Sequence, residues 1–187
     1  MLKRSVIVII IVSCACTLAI AKVYHMKGLR TVTKPSAATV TLKLTSPAFP
    51  DQGRLPDRYT IAGRNISPPL SFTYLPAGTK SLALIMDDPD AAISTYTHWI
   101  IFNIPPQTSG FGENMQPAGA LSGKNSSDRL GYKSPAPPSG KIHHYVFTLY
   151  ALDSVLDLPE GSKKEAVEKA LRGHILAEAK LTGLFSR

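Results

Sequence analysis

Fifteen prolines and thirteen glycines are spread along the 187 residues of this chain, and they limit what it can fold into. Each proline fixes φ and removes a backbone donor, and glycine punctuates turns, so helices cannot be laid through most of the sequence. Many short strands joined by turns tolerate such spacing. A hydrophobic share of 44% against 18% charged residues supplies a core and leaves no long disordered portion. At this length one domain suffices.

The stretch from Ser81 to Pro106, SLALIMDDPDAAISTYTHWIIFNIPP, organises the rest. It reads as an apolar strand ending in acids, a polar loop, and a second strand rich in β-branched and aromatic residues. Alternation along a pleated strand puts Leu82, Leu84, Met86 and Asp88 on one face. On the second strand His98, Ile100 and Phe102 share a face, with Trp99 and Ile101 on the other. Asp88 and His98 thus stand at strand ends, at the rim of an apolar layer, where small-ligand sites tend to be built. Taken alone, the Asp of a D-P-D turn also serves as a cap for its own backbone.

The N-terminus carries a different kind of signal. MLKRSVIVIIIVSCACTLAIA has a basic start (Lys3, Arg4), an apolar run and a small-x-small site at Ala19-Ile20-Ala21, the marks of a secretory signal peptide. The apolar run from Val6 to Ala21 is 16 residues long, short of the ~20 that a spanning helix needs. Residues 1–21 are therefore read as a cleaved signal and the mature protein as periplasmic or secreted. Two alternatives are an uncut inner-membrane anchor and a lipoprotein processed at Cys14, preceded by Ile11-Val12-Ser13. Cleavage after Ala21 removes both cysteines and two basic residues, which leaves 19 basic against 13 acidic residues, a net charge of +6 rather than +8. No Asp or Glu precedes Asp51, so much of the excess lies in the first fifty residues.

Residues 22–40 form a basic linker with Lys22, Lys27, Arg30 and Lys34, suited to a solvated tether or to weak contact with an anionic membrane surface. The folded domain is placed at 41–187, opening on the alternating TVTLKL. Residues 107–131 are polar and glycine-rich, a functional or mobile loop. GYKSPAPPSG, Gly131–Gly140, is a rigid extended loop. It leads into IHHYVFTLYA, whose alternation puts His143, Tyr145, Phe147 and Leu149 on one face and His144 on the other. The tail reads as helix, with Ser162 and Glu165 as a capping box and Val167, Ala170, Leu171 and His174 at helical spacing. Gly173 interrupts it, and a second turn-rich helix is expected to run to about Leu181 before Gly183 ends it.

Several activities lack their motifs. There is no G-x-S-x-G elbow, no H-E-x-x-H, no Walker loop and no C-x-x-C pair. The basic residues form no stripe with aromatics, so no nucleic-acid partner is expected.

In order along the chain stand N-I-S-P-P-L (Asn65–Leu70), D-D-P-D-A (Asp87–Ala91), T-H-W (Thr97–Trp99), N-I-P (Asn103–Pro105), G-Y-x-x-P-x-P-P (Gly131–Pro138), H-H-Y-x-F-x-L-Y-A-L-D (His143–Asp153) and G-H-I-L-A-E-A (Gly173–Ala179). Together they resemble the phosphatidylethanolamine-binding protein family, in its bacterial Raf kinase inhibitor-like branch, over about Leu44 to Arg187. The resemblance implies a mainly β fold with minor α, a two-sheet antiparallel β-sandwich with short helices including a C-terminal one. It also implies a small anion pocket at one end. Carried over by position, the ligand-binding residues are Asp88, His98, Pro138, His143 and Tyr145.

The chemistry of that set suits an oxyanion. Imidazole N–H groups and a phenol donate to phosphate or carboxylate oxygens, while the acid fixes a ring tautomer or accepts from an ammonium on the ligand. The reading is a non-enzymatic binding protein for a small anion such as phosphate or phosphoethanolamine, with no catalytic residue, metal or cofactor. The alternatives are a regulator that inhibits a protease or kinase through the same pocket, and a hydrolase or metal site on Asp88, His98 and His143.

Two departures from the family pattern touch the pocket rim. Ala92 stands where the family has proline, so the Ala91–Ala92 bond is expected to be trans. Lys133 and Ser134 stand where the family has two glycines, which limits close approach of backbone N–H groups to an anion.

Intact-mass measurement of the exported protein should show an N-terminus at Lys22. A lipidated Cys14 or an uncut Met1 would overturn the cleavage site.

Overall fold

Every position of Ser81–Met86 is buried, as expected of a strand covered on both faces. The computed structural model describes residues 41–187, so the signal and linker assignments lie outside the described residues. In chain order the strands are β1 (Lys43–Thr45), β2 (Gly53–Arg54), β3 (Leu70–Thr73), β4 (Ser81–Asp88), β5 (Tyr96–Ile104), β6 (Gly110–Phe111), β7 (Leu121–Ser122), β8 (His143–Leu152) and β9 (Ile175–Phe185). Among the described residues one α-helix, α1 (Lys164–Leu171), precedes β9, and a 3-10 turn spans Asp57–Tyr59.

The strands make two sheets, a small one in the order β1-β3-β6 and a large one in the order β2-β9-β8-β4-β5-β7. All pairs are antiparallel except β2 beside β9. Leu82, Leu84 and Met86 of β4 join Phe147 and Leu149 of β8 and Phe72 of the small sheet in the core between the sheets. Ala83 and Ile85 face the other way, with Ile100 and Phe102 of β5, and are covered by Val167 and Leu171 of α1. The apolar run of β4 is thus two alternating sets serving two cores. At about 1.5–3 kcal/mol for each fully buried large side chain, these two layers dominate the stability of the fold. Trp99 locks one end of the inner core by edge-on contacts with Phe111 at 5.8 Å and Tyr132 at 5.5 Å. A mainly β two-sheet sandwich with little helix is what the sequence implied.

The tail differs from expectation. The second helix expected to run to about Leu181 is strand β9, paired with β8 from His143↔Phe185 to Leu152↔Ile175. Its Ala, Leu, Glu and Lys residues favour helix intrinsically, but a ladder of backbone bonds and the burial of Ala179, Leu181 and Phe185 outweigh tenths of a kcal/mol per residue. Gly173, at φ 82°, makes the left-handed turn that ends α1, and His174 sits in that turn with its Nδ1 2.8 Å from Asp153. The capping box does not form either. The Ser162 hydroxyl donates to the Pro159 carbonyl, and α1 begins after Lys163 without a side-chain cap. No peptide bond among the described residues is cis, so Ala91–Ala92 is trans as expected.

Gly183 deserves its residue type for a packing reason. A Cβ there would stand 2.5 Å from Leu55 Cγ, because the parallel register of β2 brings that buried leucine against β9. Gly183→Ala should therefore lower stability by about 1–3 kcal/mol, the usual cost of overpacking, in a denaturant melt. An unchanged midpoint would mean that Leu55 moves aside freely.

Candidate functional site

The site is built at one end of the large sheet, where β4 finishes and β5 and β8 begin. Asp88 is the last residue of β4 and lies on the inner face, in line with Leu82, Leu84 and Met86. Its neighbour Asp87 points to the other face, where it accepts from Lys164 Nζ at 2.7 Å and from the Thr97 hydroxyl at 2.7 Å. His143 begins β8, two residues before Tyr145 on the same inner face.

His98 reaches the site by a route that simple alternation misses. Register runs Met86↔Trp99 and then Asp87↔Thr97, so β5 spends one more residue than β4 at this step. This is a β-bulge, which re-aims a side chain while keeping the strand pairing on either side. Beyond the bulge Trp99 and Ile101 enter the inner core, and Ile100 and Phe102 pack under α1. His98 parts from Ile100 and Phe102, contrary to the shared face expected, and turns to the side of Tyr96 and Asp88. The rings of Tyr96 and His98 lie 4.8 Å apart.

A cavity of about 360 Å³ opens between these strand ends. Asp88, His98 and His143 line it, and Pro138 lines it from the proline loop above. Tyr145 does not. It is 0% exposed and lies behind the wall, with its ring edge-on to His98 at 5.2 Å and stacked on His143 at 6.5 Å. Its hydroxyl is buried and makes no well-formed hydrogen bond, although the Asp88 carboxylate lies close enough to act on it. Burial, then the charge of Asp88, pushes that phenol's pKa well up, so it stays protonated.

Both histidines are held by the same nitrogen. His143 Nδ1 lies 2.7 Å from Asp88 Oδ2, and His98 Nδ1 lies 2.7 Å from the Lys133 carbonyl. A carbonyl and a carboxylate only accept, so each Nδ1 carries the proton and each Nε2 is left for the cavity. Burial lowers the pKa of His98, outweighing the opposite pull of the Lys133 carbonyl and of Asp88. The resting ring is therefore neutral, with Nε2 an acceptor.

The proline loop is tied down from several sides. Lys133 N–H donates to the His98 carbonyl at 2.9 Å, and Ser134 N–H donates to Asn65 Oδ1 at 2.8 Å. The two N–H groups at the positions of the family's lost glycines are thus spent inside the protein. Arg187 Nε donates to the Pro137 carbonyl at 3.0 Å.

Asp90 is a lining residue the sequence reading passed over. Its Oδ2 accepts from both the backbone N–H of His144 at 2.7 Å and His144 Nδ1 at 2.8 Å, while its own N–H donates to Asp88 Oδ1 at 2.9 Å. The His144 backbone bond, then the ring bond, lowers the Asp90 pKa. His144 faces away from the pocket as expected, yet it fastens the turn that forms one wall. Lys133, Lys141 and Tyr96 also line the cavity. Two-residue spacing was the available signal for Tyr96 and Lys141, before His98 and before His143.

The comparisons with known proteins agree with this architecture. The profile of the family described as "Phosphatidylethanolamine-binding protein" matches residues 45–186. A "UPF0098 protein" of Methanothermobacter thermautotrophicus is 54% identical over 151 residues, covering 78% of this chain and 99% of that protein. A Mycobacterium tuberculosis protein named "Putative lipoprotein LppC" is 40% identical over 154 residues, covering 82% of this chain and 76% of its own length. Among solved structures, the Chlamydia trachomatis protein CT736, described as a "Putative PhosphatidylEthanolamine-Binding Protein (PEBP) Homolog", superimposes with a TM-score of 0.76 at 40% identity, over 80% of this chain and 99% of that one. Escherichia coli YbcL superimposes with a TM-score of 0.74 at 28% identity, over 78% of this chain and 98% of that one. The chain belongs to the phosphatidylethanolamine-binding protein family.

Proposed function

We propose that this protein is an exported binding protein whose pocket holds a small phosphate-type anion, and that it binds without carrying out chemistry. One observation carries the reading: two histidines anchored through Nδ1 leave their Nε2 atoms to one cavity. Protonated, each Nε2–H becomes a charge-assisted donor to an oxyanion. Asp88 is occupied in holding His143 and the N–H of Asp90, which suits a positioning role. The export part of the proposal rests on the N-terminal signal, and the lipoprotein name of the mycobacterial relative agrees with an envelope location.

Calorimetric titration with inorganic phosphate tests this. His98→Ala and His143→Ala should each weaken binding by about 1.5–3 kcal/mol, the worth of a hydrogen bond to a charged group, with the fold intact. His144→Ala should cost less, acting only through the Asp90 turn. If neither His98→Ala nor His143→Ala matters, the anion reading falls.

The pH dependence has a defined sign. Because His98 has a lowered pKa in the fold, the unfolded chain takes up its proton first as pH drops through ~6.5. The free protein should therefore lose stability below that pH. Phosphate, which favours the protonated ring, should bind more tightly over the same range and raise the His98 midpoint in an NMR titration. A midpoint that phosphate leaves unmoved would remove His98 from the site.

A further inference from the structure

The family's eponymous head group carries an ammonium as well as a phosphate, and the charges around this cavity are poorly arranged for it. Four formally charged side chains besides the histidines line the cavity: Asp88, Asp90, Lys133 and Lys141. The two carboxylates, which could receive a ligand ammonium, are each partly engaged by the protein's own donors. Asp88 accepts from His143 and from the N–H of Asp90, and Asp90 accepts twice from His144. The two lysines are free. Among the described residues neither forms an ion pair, whereas Lys124, Lys163, Lys164 and Lys180 all do. The charge of Lys133 also reaches into the site, since it adds to the lowering of the His98 pKa.

From this arrangement we propose that the pocket selects a phosphomonoester dianion lacking an ammonium group, and that Lys133 and Lys141 set the choice. The inference rests on the anion reading above and narrows it. A dianion brings two negative charges to two unpaired cations. An ammonium on the same ligand meets like charge from the lysines and must share Asp88 and Asp90 with the donors they already hold. Lys133 comes from the proline loop and Lys141 from the segment just before β8, so the cations approach from separate parts of the rim. Such a dianion occurs as a free small phosphomonoester and as the head group of phosphatidic acid. Fully exposed Ile93, beside the lining residues Ala91 and Ala92, and exposed Ile142, beside Lys141, would suit the lipid source.

Ethyl phosphate and O-phosphoethanolamine are the matched probes, because they share a two-carbon phosphomonoester and differ only in the ammonium. Titrated calorimetrically into the full-length exported protein, at a pH where both phosphates are dianionic, ethyl phosphate should bind at least about tenfold more tightly. Lys133→Ala and Lys141→Ala should each weaken ethyl phosphate by roughly three- to tenfold and phosphoethanolamine by less, and the double variant should bring the two ligands within about twofold. Equal or tighter binding of phosphoethanolamine by the unaltered protein overturns the selectivity and leaves the anion pocket standing. Failure of both ligands to bind takes down the pocket reading as well. Co-sedimentation with phosphatidylcholine vesicles containing phosphatidic acid separates the sources. Vesicle binding that ethyl phosphate competes away assigns the lipid, and ethyl phosphate binding without vesicle binding assigns a free ligand. Either result supports the dianion class.

Discussion

Strand β4 is paired on both edges and covered on both faces, and everything functional hangs from that constraint. With β8 on one side and β5 on the other, its backbone donors and acceptors are committed along the ladder. Its side chains are divided between the core shared with the small sheet and the layer under α1. An element so enclosed does not move independently. Asp88, at its last position, therefore inherits a fixed place. The His143 ring is set against it by a second strand whose register is pinned by pairing on both of its own edges.

The bulge in β5 shows how a small departure from regularity makes the site. A strictly alternating β5 would send His98 with Ile100 and Phe102 towards α1, away from Asp88. One extra residue opposite β4 lets Trp99 keep its place in the inner core while His98 turns to the same side. The proline loop then answers the exposed strand end. The Lys133 backbone bonds His98 twice, its N–H donating to the His98 carbonyl and its carbonyl accepting from the His98 ring at Nδ1. The same contact thus fixes the loop, the ring orientation and the tautomer.

How far the sequence could be read follows from which forces are local. The strands β4 and β8 were legible because each is a long apolar or alternating run between turn residues, and Asp88 and His143 fall at their ends. The bulge was not legible, since nothing in T-H-W marks an extra residue until β4 is laid beside it. Strand β9 was misread because ILAEAKL has helix-favouring residues, and its partner His143–Leu152 is remote in sequence. Ser162 and Glu165 matched a capping pattern, but the turn at Pro159 claimed the serine hydroxyl first. Tyr145 was placed on the right face, yet its depth behind the cavity wall depends on packing against His98 and His143, which only the assembled sheet supplies. Lys133 was legible at the pocket rim only as the replacement of a family glycine, and Lys141 joins it there only once the loop closes over the strand ends.

Charge at the site is balanced so that a bound anion, as proposed, would be coupled to a proton. With both rings neutral, Asp88 and Asp90 offset Lys133 and Lys141, and the cavity wall carries no net formal charge. Each Nε2 is then an acceptor facing any incoming oxyanion, an unfavourable contact that no movement of the ring relieves, because Nδ1 is held by Asp88 or by the Lys133 carbonyl. Adding a proton to Nε2 turns the acceptor into a charged donor and gives the wall a positive sign. Burial opposes that step at His98, and an anion within bonding distance favours it. Linkage then requires reciprocity: the factor by which the proton tightens the anion is the factor by which the anion tightens the proton. A histidine left mobile would escape this coupling by rotating its lone pair away. In the proposed anion site, the Lys133 carbonyl contact that orients His98 would also tie the uptake of a proton to the uptake of the anion.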